Sequence, residues 1–153
     1  MAMILDNWLA QRAQTCPDRA ALIAEGSRLT YEELEAEATA AARRLAAHGV
    51  RGGATVTLEL PVGAEYVVLL HALMKLGAVA EPLNTRLAAG EREAELERAA
   101  PVLAISRPDE VGGPEADLPL LGEHDLDAVQ CRVLTSGTSG HPRPIGLTYG
   151  NHL

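Results

Sequence analysis

Apolar positions recur along this chain with two periods, and the switches between them mark out its elements. In NWLAQRAQ (7–14), Trp8, Leu9 and Arg12 are spaced as one helical face, Asp6 stands where a cap belongs, and Pro17 ends the run. AALIAEGSRLTY (20–31) reads as two short strands around a Gly26-Ser27 turn. Thr30-Tyr31-Glu32-Glu33 then spells a capping box: the Thr hydroxyl caps the Glu33 amide and the Glu33 carboxylate reaches back. The helix it opens is predicted to run to about His48, with Leu34, Ala38, Ala41, Ala42 and Leu45 on one side and Gly49 as a left-handed stop.

From residue 54 the pattern alternates between short aliphatic runs and helical ones. ATVTLEL (54–60) is a strand. Pro61 is expected to open a helix over VGAEYVVLLHALMKLG (62–77), which is apolar on most sides and so must be buried. AVAEPL (78–83) is a strand, AGEREAELERAA (89–100) an amphipathic helix with Leu96 inward, and PVLAIS (101–106) another strand. Strand, helix, strand, helix, strand predicts a mainly parallel sheet with right-handed crossovers and helices on its faces, a three-layer α/β/α architecture. QCRVLTS (130–136) and PIGLTY (144–149) are the last two strands, and Asn151 is placed to cap a further turn.

Composition sharpens this picture in three ways. With no Phe and one Trp, the core must be built from Leu, Val, Ile and Ala. The formal net charge of −8 argues against nucleic acid or an anionic membrane as partner. That charge is uneven: residues 107–128 hold seven acids and one Arg, and are expected to be an acidic exposed loop interrupted by LPLL. The two cysteines, Cys16 and Cys131, form neither a disulfide framework nor a metal-ligand spacing. No apolar run is long enough to span a bilayer, and the opening residues lack a signal pattern, so a cytoplasmic location is expected.

The candidate chemistry lies in LTSGTSGHPRP (134–144). Gly137 and Gly140 free the backbone to turn successive N–H groups inward as an anion nest. Ser136, Thr138 and Ser139 add hydroxyls, and Arg143 adds a planar cationic fork for phosphate oxygens. A strand just upstream puts this loop at the carboxyl edge of the sheet, where α/β proteins hold ligands. By composition alone a plain linker is the better reading. The string is also neither a Walker loop, since His141 follows Gly140, nor a G-x-G-x-x-G fingerprint. Elsewhere, Lys75 matches no catalytic pattern, Cys131 reads as a buried thiol and His71 as a core residue. Glu32, Glu33, Glu35 and Glu37 read as a solvated helix face.

The exact string decides further. Ser-Gly-Thr-Ser-Gly-x-Pro-Arg resembles the phosphate-loop signature S-G-T-T-G-x-P-K of the adenylate-forming (AMP-binding) acyl-CoA synthetase superfamily. LTYEEL, RRLAAHGVRGGATV and PVGAEYVVLLHALMKLGAVAEPLNTRL resemble that superfamily's N-terminal pattern, in the same order. NWLAQRAQTCPDRAALI, LNTRL and TYGNH are most similar to the branch that serves menaquinone synthesis, with a generic fatty or aryl acyl-CoA ligase as the alternative. The chain departs from the pattern at Arg143 (usually Lys), Pro144 (usually Gly) and Ala54 (often Asp).

The resemblance implies an enzyme that activates a carboxylic acid with ATP and Mg²⁺ and passes it to coenzyme A. It implies that Thr135, Ser136, Gly137, Thr138, Ser139, Gly140 and Arg143 cradle the departing phosphates. The later motifs of the superfamily, for adenine, ribose, metal and the catalytic Lys, are not in these residues. The chain is therefore expected to be a single N-terminal subdomain of a larger ligase, inactive alone. The apolar 62–76 helix and the open sheet edge are expected to be exposed and to drive homo-oligomers. A non-catalytic phosphate- or nucleotide-binding module is the reading from a different class.

Overall fold

A computed structural model describes residues 2–135 and 143–153. The chain opens with β1 (Ile4–Asp6) and α1 (Trp8–Thr15). The cap of α1 is Asn7, whose side-chain oxygen accepts from the Ala10 amide; Asp6, expected there, is the last residue of β1. The hairpin of β2 (Ala20–Ala24) and β3 (Ser27–Thr30) turns through Glu25-Gly26, one residue earlier than expected, with Gly26 at φ +75°. α2 (Tyr31–Ala47) starts at the capping box, with Glu33 N–H donating to Thr30 Oγ1 at 3.2 Å and Thr30 N–H to Glu33 Oε2 at 2.8 Å. Leu34, Ala38, Ala41, Ala42 and Leu45 are all buried on its inner face, and Gly49 follows at φ +91°.

The central sheet then assembles. β4 (Thr55–Leu58), α3 (Ala64–Leu76), β5 (Val79–Pro82), α4 (Ala89–Ala99) and β6 (Leu103–Ile105) follow in the expected alternation. α3 begins after Gly63, not at Pro61. β7 (Glu123–Asp125), β8 (Val129–Thr135) and β9 (Arg143–Thr148) complete the strands. The five-stranded sheet has the order β6-β4-β5-β8-β9, parallel except for β9, which runs antiparallel to β8. Asn151 accepts from the Thr148 N–H within a short 3₁₀ turn, Tyr149–His152.

Strand alternation gives the sheet two unlike faces. Val56, Leu58 and Ala80 point into the main core with Leu45, Val68, Leu69, Ala72 and Leu73 of α2 and α3. Thr57 and its register neighbour Glu81 point the other way, toward α4, whose Arg98 pairs with Glu81. Helices thus lie on both faces, as a three-layer α/β/α fold requires.

The acidic segment is mostly exposed, but three of its side chains are not: Val111, His124 and Leu126 are buried. β7 pairs antiparallel with β1, and Leu118 and Leu120 pack against the main core. α3 also differs from expectation. It is sandwiched between α2 and the sheet, with Val68, Leu69 and Ala72 to Leu76 buried, so its apolar surface is consumed within the chain and is not a free face.

Candidate functional site

β8 runs parallel to β4, β5 and β6, so its end at Thr135 lies at the carboxyl edge of the sheet. The register Ala80↔Cys131 sets Val133 beside Pro82, the last residue of β5. Leu134 and Thr135 therefore overhang the edge, carried by pairing with β9 alone. Thr135 and Arg143 form the last pair of that hairpin, and Thr135 Oγ1 donates to the Arg143 carbonyl at 3.2 Å. Of the sequence-predicted phosphate residues, the structure thus brings Thr135 and Arg143 together at the root of the loop. Ser136, Gly137, Thr138, Ser139 and Gly140 lie outside the described residues, as does His141.

Pro144 sits opposite Leu134. It is compatible with the sheet because β9 is an edge strand, where a missing N–H leaves no ladder bond broken on the outer side. Arg143 is exposed beside it, at the mouth of the loop.

A cavity of about 390 Å³ opens at the same edge. Val133, Leu134 and Thr135 wall one side; Pro82, Asn84, Leu87 and Glu95 wall the other. β4 passes its chain to α3 on one face and β5 to α4 on the other. The cavity lies one strand over, between β5 and β8, outside the carboxyl ends of parallel strands, the edge at which open α/β sheets bind ligands.

The other candidates resolve into structure. Lys75, expected to do nothing catalytic, is buried in α3 and its Nζ donates to Glu35 Oε1 of α2 at 2.5 Å. Glu35 therefore leaves the solvated face that its neighbours share. His71 is held neutral, its pKa lowered to about 4 by burial first and by Lys75 and His124 next. Cys131 is buried and burial pushes its thiol pKa up, so it is a poor nucleophile even though His152 Nε2 lies 4.0 Å away.

His124 was missed in the sequence because the acidic residues around it read as solvated. It stacks on Tyr149 at 4.4 Å between ring centroids and meets Trp8 at 5.5 Å. Among the described residues, neither its ring nitrogens nor the Tyr149 hydroxyl, all shielded from solvent, has a hydrogen-bond partner. Burial lowers the His124 pKa and raises that of Tyr149 to about 12.

Comparison with known proteins bears on the loop edge. The family described as AMP-binding enzyme matches residues 9–134, which is most of the chain.

The chain belongs to the AMP-binding enzyme family.

Within that family it is 33% identical to 2-succinylbenzoate–CoA ligase from Bacillus cereus, over 99% of this chain and 34% of the relative. It is 35% identical to the o-succinylbenzoate coenzyme A synthetase of Bacillus subtilis solved with ATP and a magnesium ion. There the TM-score is 0.89, and the match covers 98% of this chain and 45% of that one. The same synthetase with its acyl-adenylate intermediate superposes at a TM-score of 0.90 and 35% identity, over 98% of this chain and 44% of that one. The chain thus spans about a third of the length of the curated relatives it matches.

Proposed function

We propose that this chain is the phosphate-loop portion of an AMP-forming acid–CoA ligase. The observation that carries this reading is the position of the 134–144 string. It hangs from the carboxyl end of β8, with Thr135 and Arg143 paired at its root beside a cavity at the sheet edge. In such an enzyme the carboxylate oxygen attacks the α-phosphorus of ATP and the bond to the bridging oxygen breaks. Pyrophosphate leaves and an acyl adenylate remains. The thiol of coenzyme A then attacks the acyl carbon, AMP departs, and a thioester is formed.

The work of these residues is electrostatic. Charge builds on the β- and γ-phosphates as they leave, and fixed N–H donors with a cation stabilise it without reorganising. Glycines at 137 and 140 let the backbone approach, the hydroxyls of Ser136, Thr138 and Ser139 donate, and Arg143 grips two oxygens at once. Among the described residues no cluster of three His, Cys, Asp or Glu side chains could hold a metal ion.

The acid is proposed to be o-succinylbenzoate, as in menaquinone synthesis, because the relatives carrying that activity align along 97–99% of the chain. A fatty or aryl acid is the alternative. Taken alone, the 153 residues are proposed to bind ATP weakly and not to catalyse.

Calorimetry with ATP·Mg tests the loop. The expected result is weak binding, with a Kd of about 1 mM, near −4 kcal/mol. Binding should be lost in both Arg143→Ala and Gly137→Val. Binding that survives both substitutions overturns the assignment. Pyrophosphate exchange catalysed by this chain alone would overturn the proposed inactivity.

A further inference from the structure

α4 is attached to this protein in a way the other long helices are not. α2 buries six residues and α3 seven, whereas α4 buries none. Its inner side carries arginines in place of an apolar stripe. Arg92 Nε donates to Glu59 Oε2 at 2.5 Å, just past the end of β4. Arg98 reaches in two directions: its Nη2 donates to Glu81 Oε1 in β5, and its Nε to Glu95 Oε2 at 2.8 Å.

The sheet surface beneath is polar to match. Thr55 and Thr57 of β4, Glu81 of β5 and Arg132 of β8 share this face, and Arg132 Nη1 donates to Thr55 Oγ1 at 2.9 Å. Glu81 is wholly buried, yet its Oε2 has no partner among the described residues, nor does the Oγ1 of its register neighbour Thr57. Two buried polar atoms left without hydrogen bonds weaken the closed arrangement, because each has given up water without replacement. Both ends of α4 are loop-like joints. Ala88 enters extended, and Ala100 leaves at φ +44°, the sole non-glycine residue at positive φ among the described residues.

We propose that α4 is an electrostatically latched helix, which lifts from the sheet as a unit while the core of α2, α3 and β4 to β6 stays folded. Arg98 is the latch, because it alone bridges the helix to the buried Glu81. Opening hydrates Glu81 Oε2 and Thr57 Oγ1, which recovers part of the cost of breaking the ion pairs. Opening also widens the cavity at the loop root, since Leu87 and Glu95 on the α4 side face Val133, Leu134 and Thr135 across it. The latch stands on these contacts alone, and its consequence for ligand access rests on the function proposed above.

Amide hydrogen exchange on the full 153-residue chain, read by mass spectrometry or NMR, tests the latch. In the unaltered protein the amides of α4 should exchange at least tenfold faster than those of α2 and α3. Raising NaCl from 20 mM to 500 mM should speed α4 a further two- to fivefold and leave α2 and α3 unchanged, since salt screens the exposed arms of the pairs. Arg98→Met should speed α4 by tenfold or more. The double variant Glu81→Leu/Arg98→Met should restore the protection and reduce its salt dependence to what the remaining Arg92–Glu59 pair contributes. If α4 exchanges in step with α2 and α3 in the unaltered protein at both salt concentrations, it opens only with global unfolding and the latch is wrong. That comparison holds whether or not Arg98→Met folds. Salt-independent rapid exchange of α4 would equally overturn an electrostatic origin.

Discussion

At the scale of single residues, the buried charges of this protein set its response to pH. His71 has its pKa lowered to about 4, against an ordinary 6.5, mainly by burial. Between those values the unfolded chain binds a proton there that the folded chain does not, so stability rises with pH across that window and is lost as pH falls through it. The shift corresponds to roughly 2–3 kcal/mol, reduced by the solvent contact His71 retains. His124, also shifted down by burial, acts in the same direction. Urea midpoints measured from pH 7 to pH 4 should therefore fall, and His71→Gln should flatten the fall. A midpoint as steep in the variant as in the parent would show that carboxylates govern the acid limb instead.

Lys75 and Glu35 make a second test at this scale. The Lys75 side chain is 5% exposed and that of Glu35 23%, so neither is freely solvated when its partner is removed. Lys75→Met should cost about 2–3 kcal/mol, near the lower end for breaking a buried pair. Glu35→Leu added to it should recover most of that loss, because an apolar pair fills the same space between α2 and α3. Chemical denaturation of the two variants separates the cost of a broken pair from the worth of an intact one. Equal destabilisation in both would show that shape, not charge, matters there.

At the scale of elements, what could be read from the sequence was what depends on neighbours close in the chain. The capping box of α2 is a four-residue signal, and both of its hydrogen bonds are formed. Thr30→Ala should cost about 1 kcal/mol. In a chain of this length that lowers Tm by about 2–4 °C, readable by calorimetry. The strands β8 and β9 were also legible from their aliphatic runs, whereas the string between them was singled out only by its resemblance to the superfamily signature. Features made by distant partners were not legible. β1 and β7 are three residues each and pair across more than a hundred positions, so neither has a pattern of its own. His124 is drawn inside by that pairing and by its stack on Tyr149, against the acidic residues around it. Leu96, expected to face inward, is half-buried, and the polar sheet face below α4 had no signature in the sequence. It emerged only when Thr57 and Glu81 were set side by side in the register.

At the scale of the whole molecule, the free edges of the sheet decide how copies meet. The sheet ends in β6 on one side and β9 on the other. β6 is three residues long, too short to template much pairing. β9 is six residues long, and Arg143 to Gly146 are exposed along it. Ile145 is 46% exposed on that edge. An unpaired strand with an apolar residue on it invites edge-to-edge association, and Pro144 blocks only one donor. Of the two features expected to drive self-association, α3 is covered by α2, and the sheet edge at β9 is left to test. Sedimentation velocity at about 0.5 mM should show a reversible dimer that dissociates on dilution, as expected for a weak contact. Ile145→Lys should be monomeric at the same concentration with an unchanged Tm, because a charge on an edge strand opposes pairing without entering the core. A dimer that survives Ile145→Lys would locate the contact elsewhere, with exposed Val62 and Ile23 the next positions to change. A monomer throughout would mean that β9 is protected by its own twist and by Pro144.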